Sequence, residues 1–382
     1  MIPFSTKHSR NLPSVYSEYF VPQMDFDVSQ NNPSQIKSLV NMLYSTSAKR
    51  NLEKLLNHIR PDVAHLHNIY GRISPSILPV LNKHKIPIVQ TLHDSKLVCP
   101  NHRMFANGSI CEECKGGRFY KAIMKRCSYG SAVFGGILAL ESYLHRWLSI
   151  YQKHVDAFIS PSMFLKDKLI EFGMDSEKIF VLPNFVRITD RDRKCNSLGP
   201  SVDGIYFGSL IPEKGVEVFI RSLVGLKNGT FRIVGEGYMR NVLETIVRDE
   251  IPAGGPSIKF AGHLDAEELR KEISISLMVI IPSIWYENAP MAVLEAFSQG
   301  KPVLGSRLGG IIELIKDGET GYLFQPGNPD DLREKMVLLL KDRSKTFEMG
   351  QKARMWVEKE RAPERYYERL LEIYQKIGAK IM

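Results

Sequence analysis

The chain has 382 residues, 43% of them hydrophobic and 24% charged, which is enough apolar material for two packed domains and too much for a disordered chain. Lysine and arginine number 51 against 42 aspartates and glutamates, and the resulting net charge of +9 suits an acidic partner without choosing one. The opening MIPFSTKHSR lacks the apolar core of a secretion signal, no run reaches the roughly 18 apolar residues that cross a bilayer, and five cysteines are too few for a disulfide scaffold of this length.

In chain order, residues 1–31 offer no long central strand with a glycine-rich turn, so the first domain is expected to lack its opening βα unit. A helical pattern over 35–58 follows, then short apolar runs at 62–67, 86–92, 156–161 and 178–183 that read as buried strands, with a helical pattern at 163–172 between the last two. Residues 184–202 are polar and aperiodic and end in SLGPSVDG, which predicts a linker. Beyond it, strand-like runs at 204–210, 231–235, 257–262, 277–282 and 302–306 alternate with helical patterns at 215–226, 239–249, 265–274, 289–299 and 330–341. A tyrosine- and leucine-rich amphipathic helix closes the chain over 363–379. The alternation predicts an α/β protein with parallel sheets covered on both faces. We divide it into a first domain at 1–186 with a cysteine-rich insertion at 95–130, a second domain at 187–362, and a terminal helix at 363–382 that could close either domain, by crossing back to the first or by staying on the second.

Three glycine- or proline-punctuated loops carry the chemistry. In SIWYENAPMAVLEAFSQG (283–300), Asn288 is expected to cap a helix over 289–299, with Pro290 in its first turn and Gly300 at its end. Its first N–H groups, such as those of Ala289 and Met291, suit an anion. Glu287 precedes the helix and Glu295 lies within it, two carboxylates able to accept hydroxyl hydrogen bonds from a sugar or ribose. In GSLIPEKG (208–215), Gly208 permits close backbone approach and Lys214 stands beside a helix start, where a phosphate would sit. GSRLGGIIEL (305–314) places another helix start after a strand. Taken singly, each loop is equally well an ordinary capped turn with solvated charges; their convergence at the carboxyl ends of strands is what points to a ligand site.

The order GSLIPEKG, IVGEG, FAGHL, ENAPMAVLE, GGIIELI, DGETGYLF, with seven residues between the two glutamates, resembles the donor domain of the family-4 retaining glycosyltransferases over roughly 62–379. That resemblance implies the two-domain GT-B fold, two Rossmann-like doubly wound domains facing a cleft. It also implies transfer of a sugar from a UDP- or GDP-sugar to a glycan or lipid-linked acceptor in cell-surface polysaccharide synthesis. By it, Glu295 binds the ribose and Glu287 the transferred sugar. Asn288, Ala289, Pro290 and Met291 form the sugar-binding loop, Lys214 holds the diphosphate, Gly235 and Gly237 line the nucleotide cleft, and His93 of VQTLHD faces the sugar from the first domain. The family usually carries arginine where Ser209 stands, so this chain brings one cation fewer from that loop. The family also opens with a strand and glycine-rich loop that are not legible here, and the first domain is accordingly expected to be N-terminally incomplete. Apart from the resemblance, His93 reads as a satisfied strand-end histidine, and His65 and His67 read as structural.

Cys99, Cys111, Cys114 and Cys127 crowd into 29 positions, and the CEEC spacing suits two thiolates on one tetrahedral metal, so the four are a candidate structural zinc set; reduced thiols or two disulfides fit the same count. Residues 100–130 hold six basic and two acidic side chains and adjoin the uncharged run 127–140 and the aromatic segment 143–151, a composition able to rest on an anionic membrane, although the commoner outcome for such apolar residues is burial in the core. The expected place of work is the cytoplasmic side, peripheral to the inner membrane face. No metal is expected to be needed for the donor chemistry. The competing readings are a non-catalytic or truncated nucleotide-sugar-binding protein, a nucleotide-sugar epimerase on the same fold, and a zinc-dependent nucleic-acid binder. Dispersed basic residues argue against a nucleic-acid partner.

Overall fold

The computed structural model describes residues 1–22, 41, 43–128, 130–188 and 200–380. Within 1–22 the backbone makes one parallel bridge, Thr6 with Val21, and a short turn at Ser17–Tyr19. Residues 23–40, which take in the end of the expected opening segment (1–31) and the start of the expected helical pattern (35–58), and residues 189–199, most of the expected linker with Cys195, lie outside the described residues.

The first domain is a four-stranded parallel sheet in the order β1 (Ala64–His67), β2 (Ile88–Thr91), β5 (Ala157–Ser160), β6 (Ile179–Val181). Every residue of β2 and β5 is buried, as expected of strands covered on both faces, and this is why they read as continuous rather than alternating apolar runs. Helices α1 (Thr46–Leu56), α2 (Leu78–Lys83), α5 (Ile150–His154) and α6 (Met163–Glu171) surround it. The insertion between β2 and β5 contains the small hairpin β3 (Phe105–Ala106) and β4 (Ser109–Ile110), turned by Asn107–Gly108, both at positive φ, followed by α3 (Lys121–Met124) and α4 (Ala132–Trp147).

The second domain is a six-stranded, wholly parallel sheet of β7 (Val202–Phe207), β8 (Thr230–Val234), β9 (Ser257–Gly262), β10 (Ser276–Ile281), β11 (Val303–Ser306) and β12 (Gly321–Phe324). Its spatial order is β9-β8-β7-β10-β11-β12, that of a doubly wound dinucleotide fold, with the winding reversing between β7 and β10. Separate apolar clusters occupy its two faces, one around Phe219, Phe231 and Phe324, the other around Val279, Phe297 and Val303. Helices α7 (Val216–Leu223), α8 (Arg240–Glu250), α9 (Ala266–Ser274), α10 (Met291–Ser298), α11 (Ile311–Leu314), α12 (Pro329–Lys341) and α13 (Arg343–Glu360) cover them. The final helix, α14 (Pro363–Lys376), leaves this domain and packs Ile373, Leu370 and Tyr374 against Val89, Ala157 and Leu182 of the first sheet.

Candidate active site

A sheet that reverses its winding leaves a crevice above the carboxyl ends of the two central strands. Here those strands are β7 and β10, and the loops after them are GSLIPEKG and SIWYENAP. Two glycines of the neighbouring loops, after β8 and β11, let those loops pack closely against them. Gly235 sits at φ 131°, where a Cβ would lie 1.9 Å from the Gly208 carbonyl oxygen, and a Cβ on Gly310 would lie 1.7 Å from that of Asn288. Any side chain there would push the loops apart. Gly237 lies likewise against Leu210, and Gly208 and Ser209 are exposed at the crevice.

Glu287 is the hub of the site. Its side chain is almost wholly buried, and its Oε1 accepts from Lys214 Nζ at 2.7 Å, Ser283 Oγ at 2.8 Å and Trp285 Nε1 at 2.9 Å. Lys214 also lies over the Trp285 ring, 5.1 Å from its centroid. The two loops are thus joined through an ion pair, and Oε2 takes no donor among the described residues. The sequence signals Glu287 and Lys214 but not Ser283 and Trp285, which crowd the carboxylate oxygen from the same short loop.

The helix begins two residues later than expected. It runs Met291–Ser298 with Pro290 as its N-cap, in an extended conformation with no capping side chain. Proline biases the residue before it away from helical backbone, so Ala289 stays in the loop. Asn288 is therefore not the cap; its Nδ2 donates instead to the carbonyl oxygen of His93 at 2.7 Å, across the cleft. The Ala289 carbonyl accepts from Asn184, and Met291 is exposed at the helix start. Glu295, one turn into α10, is half-buried, and its carboxylate makes no hydrogen bond with a described residue. Burial raises its pKa above the ordinary 4.5, with the charge of Arg270 partly opposing.

On the facing side, His67 and His93 stand at the ends of β1 and β2, with His67 Nδ1 2.9 Å from His93 Nε2. His65 stacks on His67 at 4.4 Å and is held by Tyr374 Oη at Nδ1 (2.6 Å) and Thr91 Oγ1 at Nε2 (2.7 Å). Burial lowers the pKa of all three, that of His65 to about 3; Asp94 pulls His93 the other way. At neutral pH the His67–His93 contact therefore joins two neutral rings through one shared proton. His67, which reads as structural, touches the candidate histidine directly. The signal was its position two residues from His65, on the same face of the strand.

The cysteine-rich insertion reaches the second domain. Arg103 Nη1 pairs with Glu213 Oε1 at 2.6 Å, and Glu112 accepts from Tyr286 Oη at 2.8 Å while pairing with Lys168 at 2.7 Å. Both contacts grip residues next to Lys214 and Glu287. Nothing in the sequence marked Arg103 or Glu112 for this. Cys99, Cys111, Cys114 and Cys127 are all free. Burial first, and the neighbouring thiols second, raise Cys99 to about 11, and the same causes raise Cys114 to about 12. They are neighbours, but among the described residues no three His, Cys, Asp or Glu side chains are gathered as metal ligands, and Cys99 Sγ is instead 3.0 Å from Asn101 Oδ1. Among the described residues no helix is long and apolar enough to cross a membrane.

Two family models divide the chain between them. The one described as Glycosyltransferase Family 4 matches residues 29–190, and the one described as Glycosyl transferases group 1 matches 194–356. A sulfoquinovosyl transferase of Arabidopsis thaliana is 32% identical over 190 residues, covering 49% of this chain and 36% of that protein. An uncharacterized 42.6 kDa protein in the cps region of Klebsiella pneumoniae is 25% identical over 310 residues, 79% of this chain and 72% of its own. For the first two curated relatives the match spans less than half of the relative's length, 36% and 43%. Among solved structures, a sucrose-phosphate synthase from Thermosynechococcus elongatus superposes with a TM-score of 0.70 at 16% identity, covering 98% of this chain and 88% of that one. Anabaena HepE in complex with UDP-glucose gives 0.61 at 17% identity, covering 86% and 82%. These structures share the fold.

Proposed function

The chain belongs to the family-4 glycosyltransferases of group 1, and we propose that it transfers a sugar, with retention of configuration, from a UDP- or GDP-sugar to a glycan or lipid-linked acceptor in building a cell-surface polysaccharide. The observation that carries this reading is the joined pair of loops at the switch point, with Lys214 and Glu287 in contact, Asn288 tied to His93 across the cleft, and the Glu295 carboxylate without a hydrogen bond among the described residues. Relatives named for a cps region and for lipopolysaccharide N-acetylglucosamine transfer support the polysaccharide setting, and HepE, solved with UDP-glucose, supports the donor class.

In this reading the ribose hydroxyls donate to Glu295, whose buried carboxylate gains the partners it lacks. The diphosphate lies at the N-terminus of α10 and takes one of the three Nζ–H donors of Lys214, the lysine keeping Glu287 through another. The free Oε2 of Glu287 accepts from a sugar hydroxyl, and neutral His93 faces the same sugar from the first domain. The bond from the anomeric carbon to the phosphate oxygen breaks, and the leaving charge is stabilised by Lys214 and the helix N–H groups. The acceptor oxygen bonds to the anomeric carbon on the same face and passes its proton to the leaving phosphate, so no protein base is assigned and the residues act by positioning. Ser209 adds a hydroxyl donor but no charge, and the donor needs no metal. Nucleotide sugars place the work on the cytoplasmic side of the membrane.

The test is release of nucleotide diphosphate from a panel of UDP- and GDP-sugars with oligosaccharide and polyprenyl-phosphate-linked acceptors, with the product anomer read from its proton coupling. Retention with one donor supports the reading; inversion, or no turnover by a folded chain, refutes it. The reading also carries a structural zinc on Cys99, Cys111, Cys114 and Cys127, for which Cys99 must leave Asn101 and the sulfurs must draw together. One zinc per purified chain supports that part, and its absence refutes it.

A further inference from the structure

The helices α3 and α4, one on either side of Cys127, present an outer face that nothing among the described residues covers. α3 and α4 pack tightly on their inner side: a Cβ on Gly135 would lie 2.4 Å from the Ala122 carbonyl oxygen, and α4 turns Gly135, Ala139, Glu141 and His145 inward. The opposite face of α4 carries Val133, Leu140, Tyr143 and Trp147, spaced 7, 3 and 4 residues apart, so they form one stripe. They are 72%, 59%, 40% and 80% exposed, and Met124 on α3 is 67% exposed. Eight of the 22 large hydrophobic side chains exposed among the described residues fall within 120–148, so this is a concentration and not the ordinary scatter of surface apolar groups. The patch is continuous, because Tyr143 Oη accepts from the Tyr120 N–H at 3.2 Å and its ring meets Phe119 edge-on at 5.2 Å.

Its charge is one-sided. Residues 115–153 contain seven lysines and arginines and a single acid, Glu141, which is 1% exposed and bonded to Lys96. Lys121 and Lys125 share Glu113, and Lys115 pairs with Glu171. Arg118, Arg126 and Arg146 have no ion pair among the described residues, and Arg146 lies over the Phe119 ring. The face thus joins an aliphatic tip, aromatic rings with polar ends, and unpaired cations.

We propose that the outer face of the α3–α4 hairpin docks on the surface of an anionic lipid bilayer, with Trp147, Leu140 and Val133 entering the headgroup boundary and the arginines meeting lipid phosphates. Apolar groups gain by leaving water at that depth, while Trp and Tyr keep their polar ends at the wet boundary. Cations at the same level meet the negative surface potential. A second copy of this chain fits less well, since a two-fold contact sets each patch against itself and brings the same arginines together. The inference does not rest on the proposed activity.

The full-length chain is sedimented with vesicles of 30% phosphatidylglycerol in phosphatidylcholine and with phosphatidylcholine alone, at 50 and 500 mM NaCl. Binding to the anionic vesicles that weakens at high salt is expected. Trp fluorescence is expected to be quenched by brominated lipid in the native chain and much less so in Trp147→Phe, which isolates this residue from the other two tryptophans. Leu140→Glu and Arg126→Glu each are expected to lower binding about tenfold or more with an unchanged melting temperature; Arg126→Glu serves if Leu140→Glu fails to fold. No binding to anionic vesicles, equal quenching in Trp147→Phe, or unchanged binding by the folded variants overturns the proposal. So does a concentration-dependent dimer in sedimentation equilibrium that the same substitutions abolish, which would make a second copy the occupant.

Discussion

Removing Arg103 separates the role of the cysteine-rich insertion from that of the donor loops it touches. Its partner Glu213 has a side chain only 4% exposed, whereas Arg103 is 45% exposed. Breaking a fully buried pair from one side costs about 3–5 kcal/mol, because a charge is left dry and unpaired. Solvent around Arg103 already weakens this pair, which brings the expected cost of Arg103→Ala to about 2 kcal/mol. The chain can escape the cost by opening the cleft and hydrating Glu213, so the penalty falls on closure and not on either core. About 2 kcal/mol is a factor of roughly 30 in the closed-to-open ratio, and donor affinity should fall by up to that factor. Glu213→Ala makes the opposite test: it removes the buried charge and leaves an arginine that water can reach, so it should weaken donor binding less than Arg103→Ala. Calorimetric nucleotide binding reads the affinity, and small-angle scattering reads the opening as a larger radius of gyration. Unchanged affinity and radius in Arg103→Ala, or a Glu213→Ala variant damaged as much, would refute the reasoning.

Three other outcomes follow from the geometry. His65 is held neutral, its pKa lowered from 6.5 to about 3, so the stability it contributes is full above pH 6.5 and is lost as pH falls below it, by about 1.4 kcal/mol per pH unit. Urea unfolding of His65→Gln between pH 6.5 and 4 should show a pH slope shallower by that amount, and equal slopes would contradict it. Gly235→Ala should lower the melting temperature and abolish nucleotide binding, because its Cβ has no room beside Gly208; a stable, binding-competent variant would show that the loops after β7 and β8 need not touch. The raised pKa of Glu295 predicts that nucleotide binding releases protons at mildly acidic pH, where the unliganded carboxyl is still partly protonated, as ribose hydroxyls favour the ionised form. Calorimetry in buffers of different ionisation enthalpy measures it, and binding without proton release would place the ribose elsewhere.

Nine of the twelve described strands and most helices are legible, because fully buried parallel strands read as short apolar runs and the helices carry amphipathic periods; the short hairpin strands β3 and β4, the strand β12 and the helices α4 and α13 are not. Lys214, Glu287, Asn288 and Glu295 stand out from loops marked by Gly and Pro, and the roles assigned to them come with the resemblance. The strand order was not legible, since it is decided by crossovers that leave no local mark. Asn288 has the propensity of a cap, but Pro290 keeps Ala289 out of helical backbone, so the helix starts later and Asn288 bonds across the cleft instead. Contacts that join distant parts of the chain were invisible for the same reason as the strand order: Arg103 meets Glu213, Glu112 meets Tyr286 and Asn288 meets His93 only once both domains have folded. His67 reads as structural because a histidine at a strand end is usually satisfied locally, whereas its partner here is His93, just beyond the next strand.

The central claim is a nucleotide-sugar site between the loops after β7 and β10. Its most direct test is thermal stabilisation of the purified chain by UDP, GDP and their sugars without added metal, alongside Glu295→Ala. The account predicts stabilisation by one nucleotide and its sugar, lost in the variant while the unliganded melting temperature is retained. A folded chain that no nucleotide stabilises, or a Glu295→Ala variant stabilised as strongly as the native chain, would contradict it.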